Sequence, residues 1–182
     1  MWITDLTLKI ENLAAKAEIF YKLAATYYRD VIQKEIALAN INKDDHILCI
    51  GGGMCPFSAI LFHQITGAKV TVIDNNKQCI PKARGIIERM GLSSKINAVY
   101  CDGCAACDEK YTVVHFALQV NPMERVFSHI EKNAAPGTKL LLRRPRKRLL
   151  DLYSKLPKLS SCPFTVHSGA RNIGSTLMYI KN

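Results

Sequence analysis

Apolar and polar positions alternate along this chain in two different rhythms. Up to about Asn40, apolar residues recur at steps of three and four, as on one face of a helix. From residue 45 onward, short apolar runs alternate with further segments of helical spacing. The runs that predict buried strands are His46–Ile50, Lys69–Asp74, Ile96–Tyr100, Tyr111–Leu118 and Lys139–Arg144. Strands that alternate with helices predict a parallel sheet with helices on both faces.

Segments of helical spacing separate or follow these strands. They are residues 57–65, 80–90, 123–130 and 147–156. Two closing strands, near Phe164–His167 and Thr176–Lys181, have no full helix between them, so they predict a terminal hairpin. We therefore predict an α/β fold with a Rossmann-like seven-stranded sheet, mostly parallel with a C-terminal antiparallel hairpin. This sheet domain covers residues 45–182, and a helical segment, residues 1–44, precedes it.

Composition places the chain among globular proteins, because 48% of its 182 residues are hydrophobic. The first twenty residues carry charges throughout, and no apolar run is long enough to cross a membrane. Neither a signal peptide nor a membrane span is therefore expected. A cytoplasmic location, with the seven cysteines as reduced thiols, is the expectation that follows.

The formal net charge of +10 allows two interpretations. A basic surplus is typical of proteins that bind nucleic acid or acidic small molecules, and it also occurs as a solvated face that keeps a protein soluble. The densest basic run, Arg143–Arg148, lacks the interleaved aromatic residues on which single-strand binders stack bases. Nucleic acid is therefore the less favoured partner, although it stays open.

The turn after the first predicted strand carries the most informative motif, in the stretch HILCIGGGMCPFSAI. Gly51 and Gly53 match the first two glycines of a dinucleotide-binding turn, but Pro56 occupies the place of the third. The GK[ST] sequence of a phosphate-binding loop is absent. The motif predicts a tight turn against a ligand without a phosphate cradle, or simply a tight connection between strand and helix.

Two aspartates follow the next two predicted strands. Asp74 ends the second strand, where an acid can accept hydrogen bonds from both hydroxyls of a ribose or cap the following helix. Asp102 ends the third strand, where it could meet an adenine edge or serve as an ordinary turn aspartate. A glycine turn and two such acids together indicate an adenosine without phosphates, and hence S-adenosylmethionine. The predicted cofactor-binding residues are Gly51, Gly52, Gly53, Pro56, Asp74, Asn75, Asp102 and Gly103.

Three stretches resemble the S-adenosylmethionine-binding half of nicotianamine synthases, within the class I methyltransferase superfamily. They are ILCIGGGMCPFSAILFHQITGAKVTVID, ALQVNPMERVFSHIEKNAAPGTKLLLRR and GSTLMYI. The Gly-x-Gly-x-x-Pro turn is the more specific feature, and Cys49 stands where ordinary methyltransferases usually carry an acid. The resemblance implies transfer of the aminocarboxypropyl arm of S-adenosylmethionine to a small amine or amino acid, with methylthioadenosine as the leaving group.

The resemblance also implies roles for side chains outside the glycine turn. Arg143 resembles an arginine that faces a substrate carboxylate, and a place in the solvated basic patch is its alternative. Tyr153 resembles a substrate-side tyrosine, with core packing as the alternative. Tyr27, Tyr28 and Glu35 resemble an aromatic pair and an acid that precede the sheet. Tyr28 or Glu35 could act as a catalytic base or a substrate clamp, and packing on a helix face or a surface charge are the alternatives.

The N-terminal part departs from the family, which has a substantial helical domain that walls the reaction chamber. This chain offers only about forty residues there, and the usual catalytic acid of that domain has no counterpart. A homodimer could supply the missing wall. Two other functions therefore stay open. One is a class I methyltransferase that acts on a small molecule or, less favoured, on RNA. The other is a non-catalytic module that binds S-adenosylmethionine.

Cysteine and histidine spacing does not predict a metal site. Cys101, Cys104 and Cys107 form a C-x2-C-x2-C array, but the fourth cysteine of a ferredoxin-type run is missing. We interpret the array as small residues that fill a strand end and a loop, and an iron–sulfur cluster or zinc bound by its thiolates stays the less favoured alternative. His115 lies inside the fourth predicted strand and is interpreted as a core histidine. His63, on the first helix of the sheet domain, is interpreted as structural.

The ribose assignment predicts a change in cofactor affinity for Asp74→Ala. Loss of the carboxylate removes the acceptor of two hydroxyl hydrogen bonds, so the affinity for S-adenosylmethionine should fall severalfold. Isothermal titration calorimetry measures this directly, and an unchanged affinity would remove the assignment.

Overall fold

The computed structural model describes residues 26, 28–106, 111–159 and 161–182 of the chain. The helical pattern expected over residues 10–24, together with Tyr27 and Cys107, lies outside the described residues. The described helices are α1 (28–39), α2 (Phe57–Thr66), α3 (Cys79–Arg89) and α4 (Met123–Asn133), with a short 3-10 helix at Lys147–Leu152. The strands are β1 (His46–Ile50), β2 (Lys69–Asp74), β3 (Ile96–Tyr100), β4 (Val113–Phe116), β5 (Lys139–Pro145), β6 (Phe164–Val166) and β7 (Ile173–Ile180).

The seven strands form one sheet in the order β3-β2-β1-β4-β5-β7-β6. Strands β1 to β5 pair in parallel, whereas β7 is antiparallel to both of its neighbours. The predicted sheet and its closing antiparallel hairpin are therefore confirmed. The connections run outward from β1 in one direction and from β4 in the other. Ligand sites in such sheets lie beyond the carboxyl ends of the strands at this point of reversal.

Burial on both faces explains why the central strands read as continuous apolar runs. All four residues of β4 are buried, and four of the five residues of β1 are. Ile47 and Cys49 of β1 point into the core under α2 and α3, which also contains Phe62. Leu48 and Ile50 point to the opposite core, which α4 covers.

Helix α1 packs against the sheet domain. Val31 and Ile32 are fully buried, and Lys139 Nζ at the start of β5 donates to the carbonyl oxygen of Ala39 at 2.7 Å. The division into residues 1–44 and 45–182 stays a prediction. No helix in the described part of the chain is long and apolar enough to span a membrane.

Three predicted elements differ noticeably from the structure, and the simplest difference is that the last strand begins at Ile173 and not near Thr176. The helix expected over residues 147–156 is a 3-10 helix at Lys147–Leu152 without a buried residue, and Leu152 is 76% exposed. Its leucines have no core to pack against, so the helical spacing there was misleading. The fourth strand is shorter than the expected Tyr111–Leu118, because the chain turns at Ala117, whose carbonyl oxygen accepts from the Val120 N–H.

A close backbone approach at Gly52 leads to a stability prediction. A Cβ atom added at Gly52 would overlap Val72 Cγ1, a buried and tightly packed side chain of β2. Gly52→Ala should therefore lower the free energy of unfolding by about 1–3 kcal/mol. The matched control is Gly169→Ala, since nothing lies within 4 Å of its added Cβ. Urea unfolding monitored by circular dichroism tests both variants. Equal stabilities would contradict the packing argument.

Candidate functional site

A cleft of about 630 Å³ opens at the carboxyl ends of β1 to β4, where the chain connections reverse. The glycine turn, the ends of β2 and β3 and the segment after β4 all line it. Tyr28 of α1 and Arg143 of β5 close its inner part. All of the predicted cofactor-binding residues line this one cleft: Gly51, Gly52, Gly53, Pro56, Asp74, Asn75, Asp102 and Gly103.

The glycine turn has a backbone conformation that favours glycine. Gly51 and Gly53 have φ values of +81° and +62°, in the left-handed region. The N–H groups of Gly51 and Gly52 both donate to the carbonyl oxygen of Ile73, at 2.9 and 3.2 Å. Pro56 immediately precedes α2, where a missing N–H costs nothing. The turn is thus fixed to the end of β2 and presents bare backbone to the cleft.

Asp74 joins the glycine turn to the loop after β2. Its Oδ2 accepts from the Gly53 N–H at 2.7 Å, and its Oδ1 accepts from the Asn76 N–H at 2.9 Å. The alternative role as a helix cap is wrong, because α3 begins at Cys79 with Gln78 as its N-cap residue. Each carboxylate oxygen has a second lone pair, so the group keeps acceptor capacity for a ligand.

Asp102 closes the turn after β3. Its Oδ1 accepts from the Cys104 N–H at 2.8 Å, so the alternative of a turn aspartate is confirmed. Asp102 also lines the cleft, so its role in the turn is compatible with the predicted role beside an adenine. The neighbouring Gly103 lets this turn lie close to α4, since a Cβ atom there would lie 2.7 Å from Val126 Cγ1.

A fully buried ion pair lies behind the inner part of the cleft. Arg143 Nε and Nη2 donate to the two carboxylate oxygens of Glu35, both at 2.8 Å. The Thr176 hydroxyl donates to Glu35 Oε1 at 2.7 Å, and Arg143 Nη1 donates to Ser58 Oγ at 3.0 Å. Glu35 is therefore not a surface charge, and Arg143 is not part of the solvated basic patch. A charge removed from water is stable only beside a counter-charge, and Glu35 and Arg143 provide each other's counter-charge.

This pairing argues against the roles that the sequence indicated for Glu35 and Arg143. Burial by itself raises the pKa of Glu35, but the charge of Arg143, together with its hydrogen bonds, outweighs burial and holds that pKa far below its ordinary value. A carboxylate with so low a pKa is a poor base. The guanidinium fork of Arg143 is occupied by Glu35, so a substrate carboxylate would have to compete for it.

The two described tyrosines of the predicted site have different surroundings. Tyr28 is half-buried, stacks on Phe57 with ring centroids 6.1 Å apart, and has the Arg143 guanidinium 5.6 Å from its ring centroid. It lines the cleft, as its predicted role requires. Tyr153 packs against the small cluster around Val31 and is absent from the cleft lining. Its alternative role in packing is thus the one that the structure favours.

His115 is a site residue whose position in the cleft the sequence did not reveal. It is buried, as expected for a core histidine, yet it also lines the cleft. Its Nε2 lies 3.6 Å from Glu35 Oε2. A polar residue in a strand that is otherwise apolar was the available signal. His63 is structural as predicted, because its Nδ1 contacts the Ala68 carbonyl oxygen at 2.8 Å.

The cysteine array and the basic run add little to the cleft. Burial, followed by the charge of Asp102, raises the pKa of the Cys101 and Cys104 thiols. Within residues 28–106, 111–159 and 161–182, no group of three side chains is arranged to hold a metal ion. Arg146 donates to the carbonyl oxygens of Ala170 and Ser168 at 2.7 and 2.6 Å, so the basic run is only partly a free surface.

The chain matches known proteins in its three-dimensional structure but not in its sequence. No protein-family profile and no curated protein sequence matches the chain. A mutant of the nicotianamine synthase MtNAS superposes with a TM-score of 0.76 and 22% identity, covering 86% of this chain and 61% of that one. MtNAS in complex with S-adenosylmethionine gives a TM-score of 0.74 at 22% identity, covering 86% of this chain and 63% of that one.

The chain has the fold of class I S-adenosylmethionine-dependent methyltransferases. An RNA methyltransferase from Salinibacter ruber, in complex with S-adenosyl-L-homocysteine, also superposes, with a TM-score of 0.68 and 16% identity. That match covers 84% of this chain and 90% of the other. The chain spans only about three fifths of the length of the MtNAS structures. The resemblance drawn from the sequence is thus confirmed at the level of the fold.

The buried ion pair leads to a prediction for Glu35→Gln. The variant keeps the shape of the side chain but leaves the Arg143 charge buried without a counter-charge, so the free energy of unfolding should fall by about 3–5 kcal/mol. Asp30→Asn on the same helix is the matched control. Asp30 pairs with Lys34 at 3.0 Å but is 59% exposed, so its loss should cost under about 1 kcal/mol. Denaturant unfolding of both variants would refute the prediction if the two losses were equal.

The same pair predicts a dependence of stability on pH. Because the pKa of Glu35 is lower in the folded chain than its ordinary 4.5, an unfolded chain takes up this proton first. The stabilisation is complete above the ordinary pKa and is lost progressively as the pH falls below it. Unfolding curves collected between neutral and acidic pH should show this loss in the wild type. The Glu35→Gln variant lacks this carboxylate. The part of the acid-induced loss of stability that the wild type shows and the variant does not is therefore the contribution of Glu35.

Proposed function

We propose that the chain binds S-adenosylmethionine in the cleft and transfers its aminocarboxypropyl arm to a small amine or amino acid. The observation that carries the proposal is the convergence of the glycine turn, Asp74 and Asp102 at the carboxyl ends of three neighbouring strands. In this arrangement Asp74 would accept from the ribose hydroxyls and Asp102 would face the adenine. The backbone at Gly51 to Gly53 would lie against the amino-acid end of the cofactor.

The charge of the cleft supports a cationic ligand. Asp74 and Asp102 are acidic, and the arginine among the described lining residues, Arg143, is already neutralised by Glu35. A ligand with phosphates would find little positive charge in this lining. A sulfonium nucleoside with an ammonium group carries the complementary charge. The choice of S-adenosylmethionine over a phosphorylated nucleotide rests on this contrast.

The choice of the transferred group rests on likeness to nicotianamine synthase. MtNAS has been solved in complex with S-adenosylmethionine and with MTA and tNA, and its fold matches this chain with TM-scores from 0.74 to 0.76. Methyl and aminocarboxypropyl transfer are chemically related, since a nucleophile attacks a carbon next to the sulfonium and a neutral thioether leaves. Alignment of nucleophile, carbon and sulfur is then the main catalytic requirement. The groups at the inner end of the cleft would set that alignment.

Methyl transfer to RNA is the second candidate function. The chain covers 90% of the length of the Salinibacter RNA methyltransferase, and its formal charge is +10. Exposed Arg144, Lys147 and Arg148 provide a basic surface at the start of the 3-10 helix. Such a surface would bind a phosphate backbone with a steep dependence on salt concentration. A non-catalytic module that binds S-adenosylmethionine is the remaining alternative.

We further propose a cytoplasmic protein whose acceptor is small. The predicted homodimer stays part of this proposal, and the oligomeric state of the purified protein in solution tests it.

Product analysis distinguishes these functions. Purified protein is incubated with S-adenosylmethionine and a panel of amines, amino acids and RNA, and mass spectrometry follows the adenosine products. Methylthioadenosine above the spontaneous background, with an acceptor that has gained an aminocarboxypropyl group, is the expected result. The Asp74→Ala variant serves as the binding-impaired control.

Other products would contradict the proposed reaction. S-adenosylhomocysteine would indicate methyl transfer, and its appearance only with RNA would favour the second candidate function. Cofactor binding without either product would favour a binding module.

A further inference from the structure

His115 lies at a junction between the cleft and the buried ion pair. The residue belongs to β4 and is 1% exposed, yet it is among the residues that line the cleft. Phe62 packs edge-on against the ring, with the two ring centroids 5.3 Å apart. This contact from α2 and the strand backbone fix the orientation of the imidazole. A residue so placed can contact both a ligand in the cleft and the protein interior.

The Nε2 atom of His115 is buried and makes no hydrogen bond within the described part of the chain. Glu35 Oε2 lies 3.6 Å away, slightly beyond the distance of a hydrogen bond. Unpaired buried nitrogen atoms are rare, because each has lost its hydrogen bond to water. Catalytic hydrogen bonds are often long in the absence of substrate and shorten when it binds. The contact between Nε2 and Glu35 is long in the same way. Because Nε2 faces Glu35, the other ring nitrogen, Nδ1, is the atom that can accept a proton.

The charged and titratable groups around His115 come from several elements. Glu35 faces it from α1, Arg143 from β5 and Cys49 from the neighbouring strand β1. Burial, and then the charge of Arg143, lower the pKa of His115 below its ordinary value of 6.5, while Glu35 opposes this shift. Burial raises the pKa of Cys49 to about 12, so that thiol stays protonated. His115 is therefore a neutral imidazole at pH 7, with a free lone pair.

We propose that His115 is the catalytic base that takes the proton from the acceptor amine, and that Glu35 is its positioning residue. The inference rests on the proposed function, and it assigns the base that the sequence left open between Tyr28 and Glu35. Glu35 stays ionised and stabilises the imidazolium, as a carboxylate does behind a catalytic histidine. Arg143 keeps Glu35 from taking the proton itself.

The step balances with the groups at hand. An acceptor amine enters as an ammonium ion, its N–H bond breaks, and the proton passes to the imidazole of His115. The freed lone pair attacks the carbon next to the sulfonium, a C–N bond forms and the C–S bond breaks. The electron pair of the C–S bond stays on sulfur, which leaves as a neutral thioether. The same proton transfer serves an amine that accepts a methyl group, so the assignment holds for either transferred group.

The test compares His115→Gln with the wild type and with His63→Gln. His63 lies on α2 outside the cleft lining, so its variant is the matched control and should leave the rate unchanged. In His115→Gln, kcat should fall by about 10²- to 10⁴-fold, the range that general-base catalysis contributes. The affinity for S-adenosylmethionine, measured by calorimetry, should change little. Unfolding curves verify that each variant is folded.

The wild type provides a second readout that does not depend on any variant. The kcat of the wild type should fall on the acidic side as His115 becomes protonated, with a midpoint below pH 6.5. Long-range 1H–15N spectra of the imidazole rings should show His115 titrating at that same midpoint. In Glu35→Gln, assayed where it is folded, loss of the counter-charge should move both midpoints to lower pH. A merely structural role for Glu35 would not move them.

The outcomes separate this inference from the proposed function. An active wild type with an unchanged kcat in His115→Gln, or with an acidic limb that does not match the ring titration, overturns the role of His115 alone. A wild type that binds S-adenosylmethionine and forms neither product with any amine overturns both proposals. An active wild type, a slow His115→Gln variant and matching midpoints support both.

Discussion

A buried ion pair between Glu35 and Arg143 is the interaction on which the candidate site depends. Charges removed from water are costly unless every partner is present, and here Thr176 and Ser58 complete the hydrogen bonds of the pair. The pair joins α1 to the end of β5. A helix that precedes the sheet in the chain is thereby fixed beside the cleft, with Tyr28 over the guanidinium.

The cleft consequently has two chemically different ends. At the outer end Asp74 and Asp102 offer carboxylate acceptors beside a bare glycine backbone, which suits the ribose and base of a nucleoside. At the inner end the arginine is already paired, and the neutral ring of His115 lies between the cleft and Glu35. An ammonium group that enters this end meets a base and no free cation in the described lining. The two ends suit the binding of a nucleoside cofactor and the activation of an amine, respectively.

The sheet and the outer end of the cleft could be predicted from the sequence because their signals are local. An apolar run such as Val113–Phe116 indicates a buried strand wherever it packs, and the approximate ends of most strands followed from it. The carboxyl ends of parallel strands meet at one edge, so Asp74 and Asp102 had to approach the glycine turn. Helical spacing failed at Lys147–Leu152, because spacing does not tell whether a core lies within reach.

By itself, the sequence determined the order of elements, the tight turn and the acids that follow strands, since each depends on neighbours only a few residues away. Only the tertiary structure decided the state of Glu35, Arg143 and His115. Glu35 and Arg143 are 108 residues apart in the chain, and Glu35 and Thr176 are 141 apart. A charge carries no sequence signal for whether it will face water or a distant counter-charge. Burial in the folded chain decides between these two environments, because a charge away from water is stable only beside its partner.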